Sequence, residues 1–185
     1  MTRVSLSVAV TAVLVVMLAP SAGAHQKGWP GKRLSQTFPE AAKFTSRQVT
    51  LSSDQLGRIE QALGERVESE SRTPTFYPAF DKAGEKIGFV LFADQVGENG
   101  PIEMGVAVDS EGKVRHVVVL SSREDKRIGQ EAFLNQFQGK PAQQVVKPGA
   151  ELVPVAGAER ASQAVITGVR KVLLIKQAVF GDQNP

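Results

Sequence analysis

The chain has 185 residues, of which 42% are hydrophobic and 22% charged, so it is long enough for one globular domain and too apolar for an intrinsically disordered chain. It contains no cysteine, which excludes disulfides, thiolate zinc sites, iron–sulfur clusters, c-type haem attachment and lipid anchoring on cysteine. The formal net charge is only +3, and no stripe of basic and aromatic residues accompanies it. Nucleic acid is therefore not expected as a partner.

Residues 1–24 have the pattern of a signal peptide. Arg3 precedes an apolar run at residues 8–18, and small residues end the segment. The run is shorter than the roughly 20 residues that span a bilayer as a helix, so we expect cleavage after Ala24. The mature chain would then begin at His25 and work in the periplasm or at the outer face of the cytoplasmic membrane. An uncleaved segment is the alternative, and it would associate the chain with the membrane.

An extended segment and a helix are predicted next. Residues 25–50 contain Pro30 and Pro39 and little hydrophobic periodicity, which indicates an extended N-terminal segment. Ser52, followed three residues later by Gln55, is the sequence signature of a helix capping box. Apolar residues then recur at helical spacing, which predicts an amphipathic helix.

The hydrophobic period changes from helical to alternating after this helix. We predict strands at residues 76–80, 87–93, 102–109 and 114–120, joined by turns into an antiparallel meander. A short helix is predicted over residues 129–137, where Phe133 and Phe137 lie four residues apart.

The C-terminal part is predicted to contain a loop at residues 141–148, a brief strand at 151–155 and a helix from about 158 to 180. Apolar residues cover more than one stripe of this last helix, so we expect it to be mostly buried. Together these elements predict a single α+β domain, in which helices pack on an antiparallel sheet and the C-terminal helix is long.

Three motifs, in this order, carry a resemblance to a known family. Residues 122–129 (SREDKRIG) take the place of the family segment H-x-E-T-P-G-L-G, and residues 133–140 (FLNQFQGK) match F-x-x-Q-F-x-G-K. Residues 155–162 (VAGAERAS) fall where the family has I-S-G-A-T-x-S-S. Each motif alone is weak, but their order and spacing are moderately specific. The chain resembles the FMN-binding domain family over residues 75–175, within a domain assigned to residues 51–185.

This family includes the G subunit of the Rnf electron-transport complex, the C subunit of sodium-translocating NADH:quinone reductase and the nitrous-oxide reductase regulator. The resemblance implies FMN as the cofactor. In the family a threonine of the last motif is esterified to the FMN phosphate, and Glu159 stands at that position here. A carboxylate cannot form this linkage, so we expect FMN to be held noncovalently.

The resemblance also implies a set of cofactor-binding residues. Glu124 matches the family glutamate, which predicts a hydrogen bond to the flavin ring or to a ribityl hydroxyl. The full set of candidates is Glu124, Gly129, Lys140, Gly157, Ala158, Glu159 and Ser162.

The electrostatics of the last motif bear on how FMN would be held. A helix that begins after Gly157 presents free amides and a positive dipole end, which favour an anion such as a phosphate. Glu159 can occupy the same place with its own charge and would then repel a phosphate. Arg160, Lys140 and Arg170 could offset that repulsion if the fold brings them together.

Two functions are compatible with these residues. The first is an electron-transfer module that binds flavin and exchanges electrons with a redox partner protein or a membrane complex. We expect a component rather than a stand-alone enzyme, since no acid–base or nucleophile constellation accompanies the motifs. The second is a flavin-free structural or interaction subunit of an envelope complex. No metal site is predicted, because no further ligand pattern supports copper chelation by His25 and His116.

Overall fold

The computed structural model describes residues 29–146 and 152–181, so the predicted signal segment 1–24 lies outside the described residues. Within this part, the chain forms a six-stranded antiparallel sheet and five α-helices, which confirms the predicted α+β class. The strands are β1 (Lys43–Phe44), β2 (Arg47–Gln48), β3 (Thr75–Phe80), β4 (Lys86–Val96), β5 (Pro101–Asp109) and β6 (Val114–Ser121). The helices are α1 (Gly31–Thr37), α2 (Ser53–Leu63), α3 (Glu131–Leu134), α4 (Ala142–Val146) and α5 (Glu159–Phe180).

The predicted meander is confirmed, because β3 to β6 pair consecutively in the order β1-β3-β4-β5-β6. β2 pairs with β3 in line with β1. The interruption between β1 and β2 lies opposite Pro78, whose carbonyl accepts the N–H of Thr45 at 3.1 Å. Pro78 has no N–H, so it cannot donate a hydrogen bond back to the neighbouring strand, and the edge of the sheet consists of two separate strands, β1 and β2.

Both faces of the sheet are covered. Side chains alternate along β4, so Phe89 and Leu91 belong to the main core with α5, whereas Val90 packs on the other face with Leu34 and Phe38. The main core lies between the sheet and helices α2 and α5. Among the described residues, no helix combines the length and the hydropathy that a membrane span needs.

Helix α1 differs from the prediction of an extended segment at residues 25–50. Leu34 is fully buried, and a side chain at Gly105 of β5 would collide with the side chain of Thr37. A helix of seven residues is too short to be stable alone, so this one depends on its contact with the sheet. Hydrophobic periodicity within the segment could not reveal that contact.

Helix α2 begins with the predicted capping box. Ser52 Oγ accepts the backbone N–H of Gln55 at 3.2 Å, and Gln55 Oε1 accepts the backbone N–H of Ser52 at 2.8 Å. The helix ends at Gly64, which has φ +77°. Gln55 Nε2 also donates to the carbonyl of Ala178 at 2.7 Å, so the capping residue ties α2 to the C-terminal end of α5.

The region predicted as one helix at residues 129–137 is divided. A 3₁₀ turn at Lys126–Gly129 precedes α3, and a second 3₁₀ turn at Asn135–Phe137 follows it. The predicted loop at 141–148 contains the short helix α4, and Val145 of this helix is buried. The segment is therefore a series of short turns that bury single apolar side chains, rather than one amphipathic helix.

The strand predicted at residues 151–155 is wrong for the described residues 152–155, which have no strand partner. The Gln136 side chain forms hydrogen bonds with both backbone groups of Val153. It accepts the N–H at 2.8 Å and donates to the carbonyl at 3.3 Å. Pro154 has no N–H for a ladder. By contrast, the predicted C-terminal helix is confirmed as α5, with most of its residues buried.

The capping box yields a stability prediction. Replacing Ser52→Ala removes the acceptor for the Gln55 amide, so we expect the free energy of unfolding to fall by about 1 kcal/mol in urea denaturation. Ser53→Ala, at the exposed first residue of the same helix, serves as the control and is expected to change stability by less than about 0.5 kcal/mol. Equal losses in the two variants would contradict a capping role for Ser52.

Candidate functional site

The N-terminus of α5 lies beside the turn that follows β6. A Cβ atom at Gly157, just before the helix, would lie 3.8 Å from Arg127 Nη2. Gly157 has φ +78°, a conformation that a residue with a side chain rarely adopts. The buried side chain of Ile128 anchors the turn, and Ala158 anchors the start of the helix. Two of the three motifs are therefore adjacent in space.

Glu159 caps its own helix. Its Oε1 accepts the backbone N–H of Gly157 at 2.8 Å, and the N-cap residue Ala158 contributes no capping side chain. The pKa of Glu159 lies below its usual value. The main cause is the hydrogen bond from the Gly157 N–H, and a hydrogen bond from the backbone N–H of Glu159 itself and the positive charge of Arg127 lower it further. The anion position at this helix end is therefore taken by a side chain of the protein.

Arg127 is already paired. Its Nε lies 3.1 Å from each carboxylate oxygen of Asp125, and its Nη2 lies 2.7 Å from Oδ2. Hydrogen bonds from the Arg127 side chain and from its backbone lower the pKa of Asp125 to about 2. Asp125 and Arg127 therefore neutralise each other in this turn, and Glu159 and Arg160 lie in the first turn of the adjacent helix.

A cleft of about 460 Å³ lies beside this helix end. Its volume falls within the range of roughly 300–1,000 Å³ that is typical of small-molecule sites. The lining combines apolar surface, two amide side chains and one cation: Arg127, Gln130, Ala132, Phe133, Gln136, Val153, Pro154 and Val155. Such a lining suits a planar, largely apolar ring better than a highly charged group.

Ser162 supports one wall of the cleft from within. The residue is fully buried, and its Oγ accepts the backbone N–H of Val155 at 2.9 Å. Its hydroxyl therefore holds the segment before α5 against the helix and points away from solvent.

Glu124 is buried beneath the β4–β5 hairpin. Its two carboxylate oxygens accept the backbone N–H of Asn99 at 2.6 Å and the Asn99 side-chain amide at 3.1 Å. The carboxylate lies so close to Gly97 that a side chain at that position would collide with it. In this structure Glu124 joins the loop after β6 to the hairpin, and both of its oxygens are engaged there.

The remaining candidates do not converge on the cleft. Gly129 lines a separate cleft of about 410 Å³ beside β6. The carbonyl of Lys140 accepts the N–H of Val114 at the start of β6, which is about 23 Å along the strand from the end near Glu124. Arg170 donates to the carbonyl of Val146 at 2.9 Å, on the part of α5 that packs against α4. Of the three cations that could offset Glu159, only Arg160 lies at the same helix end.

None of the eight residues that line the cleft was among the predicted cofactor-binding residues, and the two whose side chains carry a charge or a structural hydrogen bond there are Arg127 and Gln136. Arg127 lies in a run of five charged residues of both signs, where nothing in the sequence distinguishes it from a solvated residue. Gln136 lies in the matched motif at residues 133–140, so its position in that motif was the available signal. Among the described residues, no group of three histidine, aspartate or glutamate side chains could hold a metal ion, and His116 Nε2 contacts Glu40 at 3.1 Å.

Comparison with known proteins assigns a family to this region. Residues 97–174 match the model of the FMN-binding domain. The family resemblance carried by the motifs is confirmed over this range, and the match points to FMN as the cofactor. The matched range begins at the β4–β5 hairpin, includes the turn that carries Arg127, and ends within α5.

A crystal structure of NqrC from Shewanella oneidensis is similar to this chain with a TM-score of 0.47 and 16% sequence identity. The similarity covers 77% of this chain and 73% of that chain. No curated protein matches the chain.

The described residues fit the two ends of FMN unequally. The cleft offers apolar walls at Phe133 and Val155 that suit the isoalloxazine ring. The α5 N-terminus suits the phosphate less well, because the carboxylate of Glu159 lies there and accepts the N–H of Gly157 at 2.8 Å, so a phosphate would meet like charge. The hydroxyl required for the ester linkage is also absent at position 159.

The contact between Glu124 and the hairpin predicts a loss of stability on truncation. Glu124→Ala leaves the Asn99 amide without its acceptor, so we expect the free energy of unfolding to fall by about 1–3 kcal/mol in urea denaturation. Amide hydrogen exchange in the hairpin should also become faster. Glu98→Ala, at an exposed residue of the same hairpin, is the matched control. Unchanged stability of Glu124→Ala would show that the contact contributes nothing to the fold.

Proposed function

We propose that this chain is an exported module that binds flavin noncovalently and transfers electrons to or from a partner in a membrane-associated redox system. The observation that carries the proposal is the FMN-binding domain match at residues 97–174, which includes the cleft beside α5. The signal-peptide pattern at residues 1–24 supports work outside the cytoplasm, in the periplasm or at the outer face of the membrane.

The chain's own residues bind and shield the cofactor in this proposal. A bound flavin supplies the redox chemistry, and the protein supplies the pocket and its electrostatics. Phe133 and Val155 provide apolar surface, and Arg127 provides a cation at the rim of the cleft. The described lining contains neither a histidine nor a carboxylate, which favours a binding or electron-transfer component over a stand-alone enzyme.

A flavin-free interaction subunit is the second candidate, and one specific observation favours it. Glu159 accepts the Gly157 amide, and Asp125 pairs with Arg127, so these three charged residues have partners within the protein. A domain that has lost its cofactor needs such internal partners. Flavin content therefore separates the two candidates.

The first test is the absorption spectrum of protein purified from flavin-rich cells, followed by acid precipitation. We expect a flavin spectrum and release of the yellow colour into the supernatant, because Glu159 cannot form the ester linkage. Colour that remains in the pellet would contradict noncovalent binding. A colourless folded protein that does not bind added FMN would support the interaction subunit.

Restoring the family hydroxyl provides a second test. We expect Glu159→Thr, coexpressed with a flavin transferase, to gain a covalent FMN adduct that intact-protein mass spectrometry detects. Glu159→Ala, coexpressed in the same way, is the control that lacks a hydroxyl. Absence of the adduct in folded Glu159→Thr would show that Glu159 is not the sole obstacle, since Ala156 and Ala161 also depart from the motif.

A further inference from the structure

We propose that this cleft recognises the flavin ring and not the phosphate, so that riboflavin binds at least as tightly as FMN, and that Glu159 causes this loss of phosphate recognition. The inference rests on the proposed flavin-binding function and specifies the class of ligand that the site takes. It follows from the donors, the charges and the walls of the cleft.

The hydrogen-bond donors at the helix end are the first step. A phosphate at a helix N-terminus binds through backbone amides that have no partner within the helix. In this protein the N–H of Gly157, directly before the N-cap of α5, donates to Glu159 Oε1 at 2.8 Å, which holds the Glu159 carboxylate at the helix end. A phosphate at this helix end would therefore compete with a carboxylate that belongs to the same helix and stays at high local concentration.

The charges are the second step. The guanidinium of Arg127 lies near Gly157, since a Cβ atom there would be 3.8 Å from Arg127 Nη2. The same guanidinium forms hydrogen bonds with Asp125. Arg160 lies in the first turn of α5, next to Glu159 in the sequence. Because Asp125 pairs with Arg127, the guanidinium charge nearest to Gly157 is already compensated, and a phosphate there would meet the like charge of Glu159.

The walls are the third step. Phe133, Val155 and Pro154 offer apolar surface, and Gln130 adds an amide at the edge of the cleft. These groups suit the isoalloxazine ring, which FMN and riboflavin share. A phosphate directed towards solvent would add little to the affinity, because exposed charge pairs are weak in water.

The experiment compares the dissociation constants of riboflavin and FMN by quenching of flavin fluorescence, at fixed ionic strength, for the purified full-length protein. We expect riboflavin to bind wild type as tightly as FMN or more tightly. In Glu159→Ala, which frees the amide and removes the charge, FMN should gain about two- to fivefold in affinity relative to riboflavin, the size of effect that an exposed charge exerts in water. Glu159→Gln keeps an acceptor for the Gly157 amide and should gain less.

Asp54→Asn is the matched control, because Asp54 is an exposed acidic residue in the first turn of α2. That helix is tied to Ala178, about 28 Å along α5 from Glu159. We expect the ratio of the two dissociation constants to stay at the wild-type value in Asp54→Asn.

The opposing outcomes are distinct. If wild type binds FMN at least tenfold more tightly than riboflavin, or if Glu159→Ala leaves the ratio unchanged, the inference is wrong and the flavin-binding function stands. If neither flavin binds wild type or any variant, the proposed function fails and the inference fails with it.

Discussion

The packing of α5 on the sheet is the constraint on which the rest of the structure depends. Gly168 faces Met104 of β5 so closely that a side chain at this position would collide with the methionine sulfur. Three residues further along, Lys171 is only 2% exposed and donates to Glu68 at 3.0 Å and to the carbonyl of Asp94 at 2.7 Å. The glycine sets the distance between helix and sheet, and the buried lysine ties the helix to β4, because an ammonium group there needs both acceptors.

This packing also determines the geometry of the candidate site. Since α5 is held along the sheet, its N-terminus lies at the end of the sheet where β6 stops and the β4–β5 hairpin turns. The contact between Glu124 and Asn99 fixes the loop after β6 to that hairpin, and Ser162 holds the segment before α5 against the helix. The candidate residues Glu124 and Ser162 therefore stabilise the structure around the site through contacts within the protein.

The sequence predicted the elements whose signals are local. The capping box at Ser52 and Gln55, the alternation of the meander strands and the apolar coverage of α5 each depend on neighbouring residues. Helix α1 was missed because it exists through its contact with Gly105 on a sheet face that forms elsewhere in the chain. The candidate site was predicted only in part for the same reason, because its geometry depends on contacts between distant residues. The motifs indicated the right region, but only the fold shows that Lys140, at the start of β6, lies far from Glu159 at the N-terminus of α5.

A carboxylate at position 159 changes how the fold and the cofactor depend on each other. A ligand that binds only the folded state stabilises that state, so a domain whose helix end requires a phosphate is most stable when it is loaded. In this protein the Gly157 amide has its acceptor within the chain, and the Asp125–Arg127 pair needs no outside anion. The Gly157 amide and the Arg127 guanidinium therefore have partners without a phosphate, and the walls of the cleft, chiefly Phe133 and Val155, remain as the surface through which a ligand could be held.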